Sequence, residues 1–249
     1  MRTLLKVAPF LTGLVVLMLL SAFCWLYFYS RDLPDISRLA PYAPTTETQV
    51  SDPCLEAFSS ASSSVAIPYD AMGTSLRDAI GAVETSESDP GILRTIIRGL
   101  LTEQVQRSTT VASLYLSRSM CYPRATSLAR QLKEIRTAIQ LERHYSRRQL
   151  FTMFANRSYF GPGLIGIESG AEFYFHKKPA ELGLSEAALL AGLIRGPSWL
   201  SPLKHPDRAL RRRNDVVDAM VGSGSIALVD AQAAKAAPLG VVAGTMPSP

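Results

Sequence analysis

A run of 23 residues without a charge, Val7 to Tyr29 (VAPFLTGLVVLMLLSAFCWLYFY), constrains this chain more than any other stretch. As a helix it extends about 35 Å, enough for a bilayer core of roughly 30 Å. A cleaved signal peptide has a shorter apolar region and a small-residue cleavage site. This run passes instead into Trp25, Tyr27, Phe28 and Tyr29, which suit a membrane interface. SAFC is also a poor lipoprotein signal, because Phe23 precedes Cys24. The reading is an uncleaved transmembrane helix. Arg2, Lys6 and the amino terminus lie before it, while Arg31 after it is offset by Asp32 and Asp35. The positive-inside bias then leaves the start in the cytoplasm and exports the rest as a single-pass protein.

Export bears on cysteine and on charge. Cys24 lies in the run, so Cys54 and Cys121 remain for an oxidising compartment that permits a disulfide. Their spacing leaves that pairing open. The net charge of +5 hides an asymmetry: three basic and ten acidic residues from Arg31 to Ile92, seventeen basic and seven acidic from Arg118 to Arg213. Such a basic half fits anionic lipid head groups or a phosphate-bearing substrate, and equally a solvated surface without a ligand. Nucleic acid, the other usual partner, does not fit an exported domain.

Four regions follow: 1–31, cytoplasmic start and anchor; 32–66, a stalk rich in Pro, Ser and Thr; 67–226, a folded domain; and 227–249, a C-terminal tail. The stalk buries too little apolar surface to offset its ordering entropy. Beyond Ile67 the patterning is helical. Leu76, Ala79, Ile80 and Val83 keep the spacing of one buried face. Asp89 and Pro90 open a helix carrying Ile92, Ile96, Ile97 and Leu100. Leu128, Leu132, Ile135 and Ile139 line another, with its charges opposite. SRRQLFTMFAN forms one more, and LSEAALLAGLI starts at Ser185 with Glu186 in its first turn. DRALRRRNDVVDAMV closes the domain, with Gly222 as its stop. No segment sustains period-two alternation, so the expected fold class is all-α.

Three motifs stand in order in the second half: RQLKEIRTAIQLE (Arg130 to Glu142), SRRQLFTMFANRSYFGPGLIGIESGAEFYFHKKPAEL and LSEAALLAGLIRGPSWLSPLKHPDRALRRRNDVVDAM. With them, Ile67 to Ile226 resembles the peptidoglycan transglycosylase domain of class A penicillin-binding proteins and monofunctional transglycosylases, glycosyltransferase family 51. The resemblance implies a mostly helical, lysozyme-like domain whose membrane-level cleft receives lipid-linked disaccharide. It implies the bacterial inner membrane as location, and lipid II and the growing glycan strand as substrates. Other cell-wall synthesis proteins become partners of interest. The chain ends soon after this region, so the resemblance points to a monofunctional protein.

By resemblance, Glu84 in AVET matches the general base of the family, and Glu134 the glutamate that supports the pyrophosphate and orients the sugar. Ser108 and Thr109, in QRSTTVASLYLSR, match a substrate-contacting Ser-Thr of the family. Arg130 and Lys133 lie on the turn around Glu134 as cations for substrate, Arg118 or Arg124 stands in for the lysine that Leu116 replaces, and Asn156 ends the helix of SRRQLFTMFAN. The resemblance demands no cofactor, though a divalent cation (Mg or Mn) is compatible with the pyrophosphate. Read without the family, Glu84 is an ordinary acidic residue at a helix end. Arg130 and Glu134, at i,i+4, are then a surface salt bridge of small worth.

This sequence departs from the pattern where the chemistry lies. ETSESDP carries Thr85 in place of the expected Asp, and about six residues with their Arg, Phe and His are missing. Gln106-Arg107 replaces Gly-Gly, Ala112-Ser113 replaces Gln-Gln, Leu116 stands for a lysine and Gln131 for another. Two functions follow: a working transglycosylase, or an inactive member that binds lipid II or cell-wall enzymes as an accessory. His144, His176 and His205 lack metal-ligand spacing, and no nucleophile motif occurs. Trp199 reads as a packing residue or, less simply, a sugar platform.

Overall fold

The computed structural model describes the backbone of residues 2–29, 66–86, 111–120 and 128–242. Within those ranges the side chains of 2–12, 26, 28–29, 84–86, 111, 120, 128–129 and 131–132 are outside the description. The stalk up to residue 65, the helix expected after Asp89, and Cys54 and Cys121 lie outside the described residues.

Helix α1 (Arg2–Tyr29) takes in the uncharged run. Its apolar side chains from Leu14 to Leu20, with Phe23, Trp25 and Tyr27, are exposed. The continuous part with described side chains, 13–25, is about 20 Å of helix. Among the described residues, no helix is long and apolar enough to cross a membrane. The span expected over Val7–Tyr29 extends past that part at both ends.

The folded body opens with a 3-10 turn, Tyr69–Met72, followed by Gly73 and α2 (Thr74–Ser86). Gly73 has φ +74°, and a Cβ there would stand 3.0 Å from the Ala180 Cα, so conformation and close approach both call for glycine. Leu76, Ala79, Ile80 and Val83 are buried, as their spacing predicts. They face α7 (Leu184–Leu193) and α8 (Pro206–Gly222). Helix α7 is buried at every position from Ala187 to Leu193, and the core is built around it. Its start differs from expectation. Gly183 is the cap, with its N–H donating to Glu186 Oε2 at 2.9 Å. Ser185 lies inside the helix and accepts from Arg213 Nη1 at 2.7 Å.

A second group packs together: α3 (Val111–Met120), α4 (Leu128–His144) and α5 (Arg147–Arg157). Ser146 caps α5, accepting from the Gln149 N–H, while the Gln149 side chain accepts from the Ser146 N–H. The buried line of α4 is Glu134, Thr137, Ala138 and Leu141, whereas Ile135 and Ile139 are half-buried. The expected stripe through Ile135 and Ile139 is therefore rotated by one position. Helix α4 packs on α3, and the buried Glu134 carboxylate is compensated by arginine.

The fold is mostly helical, with one correction to the all-α expectation. Strands β1 (Tyr159–Gly161) and β2 (Leu164–Ile165) form an antiparallel hairpin. Elements of three and two residues are too short to display period-two alternation. After it, α6 (Ile167–Phe175) packs Gly170 against Phe160, where a Cβ would stand 2.9 Å from the ring. Residues 227–249, expected as a tail, include α9 (Leu228–Ala236), which packs on α8. Buried Arg213 holds it by donating to the Ala237 and Lys235 carbonyls at 2.8 and 3.0 Å.

Candidate active site

The site is assembled by α3 and α4. Glu134 is 6% exposed, unusual for a lone carboxylate. It is not alone. Arg130, one turn earlier on α4, donates through Nε to Oε1 at 2.8 Å. Arg118, in the last turn of α3, donates through Nε to Oε2 at 3.2 Å. Each carboxylate oxygen thus meets a guanidinium, and the two cations come from different helices. The Arg130 side chain is 17% exposed and that of Arg118 is 56% exposed. The surface-salt-bridge reading of Arg130 and Glu134 does not describe this pair, because the acid is buried.

Lys133 precedes Glu134 and is half-buried. Glu84 lies in the last turn of α2, which packs on α3, the helix that carries Arg118. The Glu84 side chain, Ser108, Thr109 and Arg124 lie outside the described residues. The structure therefore brings together Glu134, Arg130 and Arg118 from the expected set.

Asn156 occupies a different environment. It is 7% exposed, and its Oδ1 accepts from the Ile67 N–H at 2.9 Å. Its Nδ2 donates to the Ile67 and Thr152 carbonyls, both at 2.9 Å. Both amide protons are spent on backbone, pinning the entry of the domain to α5. Beside it, burial pushes the Arg157 guanidinium down to about 10, which leaves it charged at neutral pH.

Three positions where the resemblance places substrate-facing polar groups are core here: Ala112, Ser113 and Leu116 are all buried. On the same helix, Tyr115 was missed by the sequence reading. Its hydroxyl accepts from the Tyr159 N–H at 3.1 Å, and its ring meets Phe154 edge-on at 5.0 Å. Burial raises the Tyr115 phenol above its usual range. It ties α3 to the hairpin, a contact across 44 positions that no local pattern announces.

Among the described residues, the donor set does not fit a protein-held divalent cation. Both Glu134 oxygens already accept from guanidinium groups. Among the described residues no group of three or more His, Cys, Asp or Glu is placed to hold a metal ion. Countercharge at this site comes from arginine.

Penicillin-binding protein 1A of Aquifex aeolicus is 35% identical over 139 residues, covering 55% of this chain and 19% of that protein. Penicillin-binding protein 1A of Vibrio cholerae is 30% identical over 223 residues, covering 86% of this chain and 27% of that protein. The chain thus spans less than a third of the length of these relatives. The crystal structure of penicillin-binding protein 1A from Haemophilus influenzae shares 29% identity and covers 41% of this chain and 15% of that one, with a TM-score of 0.38. The family model for the transglycosylase matches residues 53–221, more than half of the chain. The chain therefore belongs to the transglycosylase family, glycosyltransferase family 51.

Proposed function

We propose that this chain is a membrane-anchored peptidoglycan glycosyltransferase that polymerises lipid II outside the cytoplasm, at the bacterial inner membrane. Family membership supports the reaction class, and the uncharged run from Val7 to Tyr29, helical in α1, supports the anchor. The observation that carries the reading is the buried carboxylate of Glu134 held between Arg118 and Arg130.

In this reading the 4-hydroxyl of a lipid II GlcNAc attacks the anomeric carbon at the end of the growing strand. A new C–O bond forms, the bond to the pyrophosphate breaks, and undecaprenyl pyrophosphate leaves with inversion. A sugar hydroxyl is a very weak acid, so Glu84 takes its proton as the bond forms, an effect of about 10²–10⁴-fold. The leaving pyrophosphate gains negative charge. Arg118 and Arg130 meet that charge, and Glu134 fixes their forks beforehand, so little reorganisation accompanies the reaction. Lys133 and Arg124 add cations, while Ser108 and Thr109 contact substrate. Asn156 acts here through the scaffold.

A second reading has its own support. Ala112, Ser113 and Leu116 are buried in the core, and Thr85 follows Glu84 where the family has Asp. It makes the protein a lipid II-binding accessory without turnover. Labelled lipid II given to the purified full-length chain and to Glu84→Gln separates the two. The enzymatic reading expects glycan strands from the wild type and at least about a hundredfold less from the variant. Binding of lipid II by both proteins with no strands from either would establish the accessory.

A further inference from the structure

We infer that the segment from Arg195 to Arg211 is a second membrane-docking surface, which seats Trp199 and Leu203 among anionic phospholipid head groups. It lies outside the Glu134 site and needs no turnover.

The segment links α7 to α8 and is fixed from beneath. Pro197, Leu200 and Pro202 are buried. The Trp199 and Leu200 N–H groups both donate to the Gly196 carbonyl, at 3.2 and 2.9 Å. That anchoring turns the intervening side chains outward. Trp199 is 53% exposed and Leu203 is 45% exposed. The indole edge lies so close to Gly196 that a Cβ there would stand 2.2 Å from Nε1, and the Arg208 guanidinium sits 5.9 Å from the ring centroid. The ring covers the Gly196 backbone on one side, in line with the packing role read from sequence, and is exposed on the other.

Along the segment the exposed charged side chains are Arg195, Lys204, Arg208 and Arg211, against Asp207, with Asp215 one turn further along α8. An exposed tryptophan with Arg208 over its ring, in a segment whose exposed charges are mostly cationic, matches the head-group layer, where an amphipathic ring lies at the boundary and each cation adds attraction to anionic lipid. A glycan fits less well. Sugar hydroxyls need carboxylates or amides beside an open ring face, and here Ser198 and Asp207 are what the exposed segment offers, with Arg208 over the ring.

The chain has two tryptophans, so Trp25→Phe in the full-length protein makes Trp199 the single reporter. This protein is reconstituted into vesicles with brominated acyl chains, of phosphatidylcholine alone or mixed with an equal amount of phosphatidylglycerol. The expected result is a blue shift and at least about twofold stronger quenching in the anionic vesicles, reversed by high salt. Adding Lys204→Glu, at an exposed position, weakens that quenching. Emission unchanged in both vesicles overturns the proposal. Equal quenching in both also overturns it, since α1 alone would then be carrying the ring to the lipid. A response to soluble glycan fragments with none to vesicles would assign the ring to sugar instead. None of these outcomes depends on polymerisation, so this proposal and the enzymatic reading fail separately.

Discussion

A carboxylate taken out of water costs several kcal/mol unless cations and hydrogen bonds compensate it. Glu134 has both, because Arg118 and Arg130 each donate to one oxygen. A glutamine there keeps the volume but turns one acceptor into a donor, so an amide N–H faces a guanidinium N–H. Asn156 shows the contrasting case, a polar side chain saturated by backbone. Asn156→Ala removes three hydrogen bonds at once and strands the buried Ile67 N–H and carbonyl. The expected loss is about 2–4 kcal/mol, read as a lower urea midpoint at unchanged slope. A loss below about 0.5 kcal/mol would show that Asn156 does not hold the domain entry.

At the scale of elements, patterning was informative where packing alone decides. Leu76, Ala79, Ile80 and Val83 mark the buried face of α2 because nothing polar competes there. On α4 the same logic selected the wrong line, since it sent Glu134 to the polar side. Arg130 on the same helix and Arg118 arriving from α3 together make that position habitable for an acid, and a single helix carries no sign of its neighbour. The i,i+4 pairing of Arg130 with Glu134 was legible; the partner from α3 was not legible from spacing. The hairpin escaped for a different reason, its strands being shorter than one period of evidence. Its packing is nevertheless tight. Gly170→Ala drives a Cβ to within 2.9 Å of the Phe160 ring, with the Leu190 side chain 3.2 Å away on the same site. Overpacking of this kind costs about 1–3 kcal/mol. Thermal unfolding of the variant checks it, and an unchanged midpoint would mean that Phe160 yields freely.

At the scale of the whole molecule, the family match ends at residue 221 while the packed body continues through α9. Arg213 explains the extension. It is fully buried, and its guanidinium donates to Ser185, Asn214 and the carbonyls of Lys235 and Ala237. Burial without a carboxylate lowers its pKa, so these neutral acceptors are what keep the charge tolerable. The sequence could not show this, because α9 is a short alanine-rich run of weak amphipathicity. Truncation after residue 226 removes two of those acceptors and uncovers the core that Ala231 and Ala234 close. The expected drop in thermal midpoint is on the order of 10 °C. A midpoint unchanged by truncation would make α9 an accessory to the fold. The account as a whole stands on Glu134 as a working carboxylate inside an arginine clamp. Its most direct test is the initial rate of glycan formation from labelled lipid II by Glu134→Gln, compared with the wild type at equal folded concentration. The account predicts a rate at least about a hundredfold lower with lipid II binding retained; equal rates would contradict it.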